Sequence, residues 1–164
     1  MKRATQTNTL PCTPERFWDV FFDEAYLKAY YLETLGYQSF RIVEKTDTMR
    51  KVAVVPKINL PGPVAKLVGE SFAYEEHGTL DRARGEWTWR MVTPPGKKEI
   101  VKTHGTTRVV AEGANACKRI DEVVIESNVF MIGGVIESTA EKEARAAWAK
   151  DTPFMTRWLA EHPR

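Results

Sequence analysis

The sequence predicts an α+β fold, with an antiparallel sheet of about seven strands covered on one face by a long C-terminal helix. Three observations predict it. From Tyr37 to Val129 apolar residues recur with a period of two, and only short turns cut the stretch. Two short segments with helical spacing stand before it. After it, Gly133 and Gly134 lead into one long Ala-, Glu-, Lys- and Trp-rich run. Strands joined by short turns pair antiparallel, because a parallel crossover needs roughly a dozen residues or more. The order is therefore β-α-α-β6-α, and the helix must cover the sheet with room for a cavity between them.

Each element has its own warrant. Ala4 to Leu10 is Thr-rich, ends at Pro11 and reads as the first strand. Thr13 is a helix N-cap with Pro14 at the first helical position, and Phe17, Trp18, Phe21 and Phe22 form one apolar face. Asp23 caps a second helix through Ala25, Tyr26, Leu27, Tyr30, Tyr31 and Leu32, which stops at Gly36. Strands follow over Tyr37 to Lys45 and Thr48 to Lys57 around the turn Thr46, Asp47. The run Asn59, Leu60, Pro61, Gly62, Pro63 breaks the pattern, and Val64 to Val68 reads as one helical turn before Gly69. Four more strands are expected over Ser71 to Thr79, Gly85 to Thr93, Glu99 to Ala111 and Cys117 to Val129. Turn residues separate them at Asp81/Arg82, at Pro94, Pro95, Gly96 and at Gly113, Ala114, Asn115.

The closing helix is expected from Gly134. It places Ile136, Ala140, Ala144, Ala147, Trp148, Asp151 and Phe154 on one face, with Glu141, Lys142, Arg145 and Lys150 turned to water. Pro153 should kink or interrupt it, because the ring clashes with the carbonyl four residues back. Met155, Trp158 and Leu159 continue the apolar face.

Composition narrows the function classes. At 164 residues the chain suits one domain over 1–164 that buries a core without staples or metals. It is 43% hydrophobic and 28% charged, ordinary values for a globular protein. Twenty-four Lys and Arg against twenty-two Asp and Glu leave +2, too little to neutralise a run of phosphates, so no nucleic-acid partner is expected. No apolar run approaches the roughly 20 residues of a membrane span, and the polar Met1 to Thr9 lacks a signal-peptide core. The expected compartment is the cytoplasm. Cys12 and Cys117 have no zinc-site spacing, and no cofactor or metal site is expected. Oligomeric state is left open.

The element order resembles that of the START-like, helix-grip superfamily (SRPBCC), which includes pollen-allergen-type lipid binders, lipid-transfer domains and polyketide cyclases. The residues that carry the resemblance are Thr13, Pro14, Phe17 and Trp18, then Leu60, Pro61 to Val68 and Gly69, then Met131, Ile132, Gly133, Gly134, Ile136 and Glu137. They look most like an uncharacterised bacterial family within it. The resemblance covers essentially the whole chain. It implies a curved sheet gripping the closing helix, with apolar ligands between the two. It also implies that the first strand pairs with the last, bringing Cys12 near Cys117; a disulfide and two free thiols are both compatible with that.

Alternation along the strands selects candidate lining residues. Trp87, Trp89 and Met91 share one face, as do Phe72, Tyr74 and Glu76. The sixth strand of the chain adds Val101, Thr103, Gly105, Thr107 and Val109, and the last strand Asp121, Val123, Ile125, Ser127 and Val129. Phe130 and Met131 before the hinge, and Trp148 and Met155 beyond it, are expected to face Trp87 and Trp89. The candidate ligand-binding set is thus Phe72, Tyr74, Glu76, Trp87, Trp89, Met91, Thr107, Phe130, Met131, Trp148 and Met155. Such a wall is what a ligand pocket looks like and also what a plain aromatic core looks like, and for Phe72, Trp87, Trp89 and Trp148 simple packing is favoured over ligand contact. Glu76 and Asp121 are more informative, because an inward carboxylate is costly unless paired.

No catalytic residue is assigned. His77, His104 and His162 are isolated, and in Glu75, Glu76, His77 adjacent side chains point to opposite faces. The leading reading is binding or carriage of a hydrophobic small molecule, whether lipid, fatty acid or polyketide-like. Two others stand beside it: a cyclase or hydrolase built on Glu76 with Asp121 or Thr107, and a protein-interaction module with an exposed apolar patch.

Overall fold

A computed structural model describes residues 1–69 and 72–164. Strand β1 (Lys2–Leu10) is followed by helices α1 (Pro14–Phe21) and α2 (Glu24–Lys28) and by a π-helical turn over Ala29–Thr34. Strands β2 (Ser39–Lys45) and β3 (Met49–Val55), helix α3 (Gly62–Val68), and strands β4 (Tyr74–Asp81), β5 (Glu86–Val92), β6 (Lys102–Ala111) and β7 (Cys117–Glu126) come next. Helix α4 (Gly133–Glu161) closes the chain. The expected order holds. Ser71, the expected start of the fourth strand, lies outside the described residues.

All seven strands form one antiparallel sheet in the order β1-β7-β6-β5-β4-β3-β2, so the meander runs from β2 to β7 and β1 closes against β7. Capping explains the early helices. Thr13 accepts from the Arg16 amide and Asp23 accepts from the Tyr26 amide at 2.7 Å, each satisfying a backbone donor that the first turn leaves free. Beyond Lys28 the helix widens into the π turn, a feature frequent at functional sites.

The pairing of β1 with β7 sets Leu10 opposite Cys117. The thiols of Cys12 and Cys117 lie 3.8 Å apart, both buried and free. Their hydrogen bond lowers the pKa of Cys12 and, together with burial, raises that of Cys117.

Three local expectations need correction. Pro153 does not interrupt α4, which runs unbroken through it. Proline removes one helical donor, but Asp151, Phe154 and Met155 on either side are buried against the rest of the molecule. The last strand stops at Glu126 rather than Val129, and the loop that follows reaches α4 through a left-handed residue that is Met131, at φ 66°, rather than either glycine. Gly133 serves close approach instead: a Cβ there would sit 2.9 Å from the Ser127 carbonyl oxygen. The Ser127 amide in turn donates to Glu137 at 2.9 Å, which ties the end of β7 to the first turns of α4.

Candidate functional site

Between the sheet and α4 lies a cavity of about 240 Å³. Its size follows from side-chain volume on α4. Ala140, Ala144 and Ala147 face the sheet where larger residues would fill the space. Opposite them Trp89 and Trp87 lie over the strands, and two glycines make this possible. A Cβ on Gly78 would overlap the Trp87 ring, and one on Gly105 would sit 3.0 Å from the Trp89 ring and closer still to the Glu122 carbonyl.

Two buried ionic groups stand in this mostly apolar wall. The first is centred on Arg119, 5% exposed. Its Nε donates to Asp121 at 3.0 Å, and its Nη1 pairs with Asp151 on α4. Thr107, directly opposite Asp121 in the β6–β7 register, donates to the same carboxylate at 2.6 Å, and Gln6 on β1 donates at 3.2 Å. The Tyr26 hydroxyl donates to Asp151 at 3.0 Å. Burial opposes the charge on Arg119, but Asp121 and Asp151 outweigh it and hold its pKa above the ordinary value. Burial, followed by the Asp151 charge, pushes the Tyr26 phenol well above its usual range.

The second group is Arg50 with Glu76. They are diagonal neighbours, since Val52 pairs with Glu76 across β3 and β4. Arg50 Nη2 donates to Glu76 at 3.2 Å, and Nη1 donates to the Phe21 carbonyl at 2.5 Å. The guanidinium also lies 4.4 Å from the Phe21 ring centroid and 5.0 Å from that of Trp87. Among the described residues Arg50 Nε and the Thr103 hydroxyl are buried without a partner.

Of the eleven residues singled out from the sequence, Phe72, Tyr74, Glu76, Trp87, Trp89, Met91, Thr107 and Trp148 line the cavity together. Three do not, which corrects that part of the expectation. Phe130 and Met131 are 88% and 87% exposed, because the chain has already left the sheet and the left-handed turn at Met131 points it outward. Met155 is fully buried but packs with Leu10, Cys12, Phe17 and Cys117 beside α1, away from the cavity. Sequence reasoning missed the tyrosines of the second helix. All five tyrosines of the chain, Tyr26, Tyr30, Tyr31, Tyr37 and Tyr74, line this one space. It also missed both arginines, although Arg50 shares parity with Val52 and Arg119 with Asp121. Among the described residues there is no group of three His, Cys, Asp or Glu side chains placed to hold a metal, and no helix is long and apolar enough to cross a membrane.

Known proteins agree on architecture. Residues 5–159 match the model of a family described as a protein of unknown function (DUF2505). No curated protein matches the sequence. Among solved structures, TTHA0849 from Thermus thermophilus superposes with a TM-score of 0.72 at 14% identity, covering 99% of this chain and all of the other. The ZhuI aromatase/cyclase from a Streptomyces species superposes at 0.71, with 14% identity over 99% and 96% of the two chains. Norcoclaurine synthase from Thalictrum flavum gives 0.68 and 14%, over 98% and 87%. At such identities the likeness is one of fold, and the fold is the helix-grip fold.

Proposed function

We propose, for a chain that belongs to the family of unknown function DUF2505, that it binds a compact hydrophobic small molecule between the sheet and α4. The observation that carries this reading is the cavity of about 240 Å³ walled by Trp87, Trp89, Trp148 and five tyrosines. An engineered apolar cavity of about 150 Å³ already admits benzene, so the space suits a body of one or two rings. It is mostly apolar with a few placed polar groups, the usual composition of a ligand site. Small residues along one face of α4 keep it open, whereas a plain core would fill it.

The test is a fluorescence titration of the full chain with N-phenyl-1-naphthylamine, a neutral apolar probe, together with native mass spectrometry of the purified protein. Saturable binding at one probe per chain is expected. Absence of both probe binding and any co-purifying ligand would remove the reading.

A second reading places the chain with catalysts such as the aromatase/cyclase and the synthase of the same fold. It is favoured by the continuous network Thr107, Asp121, Arg119, Asp151 and Tyr26 in the cavity wall, which sets a phenol and two carboxylates beside any occupant. It predicts that a bound ligand is released chemically altered. Recovery of that ligand at unchanged mass after prolonged incubation would leave binding alone.

A further inference from the structure

The cavity is rich in charge for an apolar pocket, and the charge does not balance. Two guanidinium groups, Arg50 and Arg119, face four carboxylates, Glu76, Asp121, Asp151 and Glu143. As ionised groups they leave two negative charges in excess. Glu122 also borders the space, but its carboxylate lies on the outer face of the sheet beside Arg3 at 3.4 Å. Both arginines are already engaged, Arg119 by two carboxylates and Arg50 by Glu76. A ligand carboxylate would therefore enter an interior that is already anionic, where two carboxylates share Arg119 and Arg50 keeps only its Nε unpartnered.

The unspent negative charge lies on Glu76 and Glu143. Arg50 engages Oε1 of Glu76, and no described residue bonds its other oxygen. Glu143 is half-buried on α4, and its neighbours one turn away are Thr139, Ala140, Ala146 and Ala147, so the helix supplies no cation for it. Tyr74 and Glu76 stand two residues apart on one face of β4, and Tyr37 and Glu143 line the same cavity. Tyr31, Tyr37 and Tyr74 pack in one cluster, with the Tyr37 ring centroid 5.5 Å from that of Tyr31. Three electron-rich faces thus gather beside Glu76, which Arg50 engages through one oxygen only, in a cavity that Glu143 lines with no ion pair among the described residues; aromatic faces beside carboxylates are how proteins hold organic cations. The Thr103 hydroxyl, 8% exposed and without a partner among the described residues, lines the same cavity and offers a further polar contact.

We infer that the ligand carries a cationic amine on its apolar body, and that this amine seats among Tyr31, Tyr37, Tyr74, Glu76 and Glu143. The inference rests on the cavity being a ligand site. It turns the ligand class away from free fatty acids and toward aryl-alkyl amines.

Three probes that share one apolar body test it: 2-(2-naphthyl)ethylamine, 2-(2-naphthyl)ethanol and 2-naphthylacetic acid, each titrated calorimetrically into the full chain at neutral pH. The amine is expected to bind roughly tenfold or more tighter than the acid, with the alcohol between them. Glu143→Gln should remove most of that preference, and Glu143→Lys should reverse it. Equal or tighter binding of the acid would overturn the inference, and so would an amine-to-acid ratio unchanged in Glu143→Gln. If the alcohol binds but the amine has no advantage, the charge argument fails while the ligand site stands. If none of the three binds, and N-phenyl-1-naphthylamine does not either, the ligand site itself fails and takes the inference with it.

Discussion

The two halves of α4 meet the same sheet in opposite ways. Its N-terminal half presents Ala140, Ala144 and Ala147, and the space in front of them stays open. Its C-terminal half presents Phe154, Met155 and Trp158, which lock against Tyr26, Phe17 and Leu10 with no such gap. Interiors normally pack to crystal-like density, so a helix that fills one end of an interface and vacates the other has a reason to leave the second end empty. The vacated end also holds the polar groups. The difference teaches that stability resides at the packed end and ligand capacity at the hollow one, with Arg119 and Asp151 at the boundary.

The largest effect that would break this division is alkaline. All five tyrosines that line the cavity have raised pKa values, with burial the first cause in each. The unfolded chain gives up its phenolic protons first, so above about pH 10 the folded state loses up to about 1.4 kcal/mol per tyrosine per pH unit. Stability that is complete below pH 10 should fall as pH rises further, and tyrosinate absorbance should appear only with unfolding. Ionisation of several tyrosines in a chain still folded would contradict the burial. At the boundary, Arg119→Leu strands Asp121 and Asp151 and should cost about 3–5 kcal/mol in urea denaturation. At the packed end, Met155→Ala should cost about 2–5 kcal/mol and leave probe binding unchanged. At the hollow end the pattern inverts: Ala144→Trp should change stability by less than about 1 kcal/mol, because it fills empty space, yet abolish probe binding in the same titration. Phe130→Ser should shift stability by no more than about 0.5 kcal/mol and leave binding intact, since that ring is in water.

Much of this architecture is legible in the residues. The period of two from Tyr37 as far as Glu126, the caps at Thr13 and Asp23, and the alternation of Trp87, Trp89 and Met91 correspond to the observed elements and their inward faces. The alanine face of α4 was equally visible, and it is what opens the cavity. Phe130 and Met131 were misplaced because period-two reasoning was carried past Glu126, where the ladder ends, and a left-handed non-glycine residue gives no sequence signal. Met155 has the spacing of a lining residue, but a helix longer than the cavity takes its last turns elsewhere. The tyrosines of the second helix were missed because an α-helix sends adjacent residues such as Tyr30 and Tyr31 in different directions, whereas the π turn brings both to the cavity. Arg50 and Arg119 were passed over because a strand arginine reads as a surface residue until its carboxylate partners are known. Parity with Val52 and with Asp121 was the available signal.

The most direct measurement is methyl NMR of the full chain, labelled at alanine and methionine, during titration with 2-(2-naphthyl)ethanol. The methyls of Ala144, Ala147 and Met91 should shift and saturate together, while those of Met155 and Met131 stay in place. Saturating shifts at Met155 or Met131, with Ala144 and Met91 unmoved, would place the ligand outside the hollow end and contradict the account.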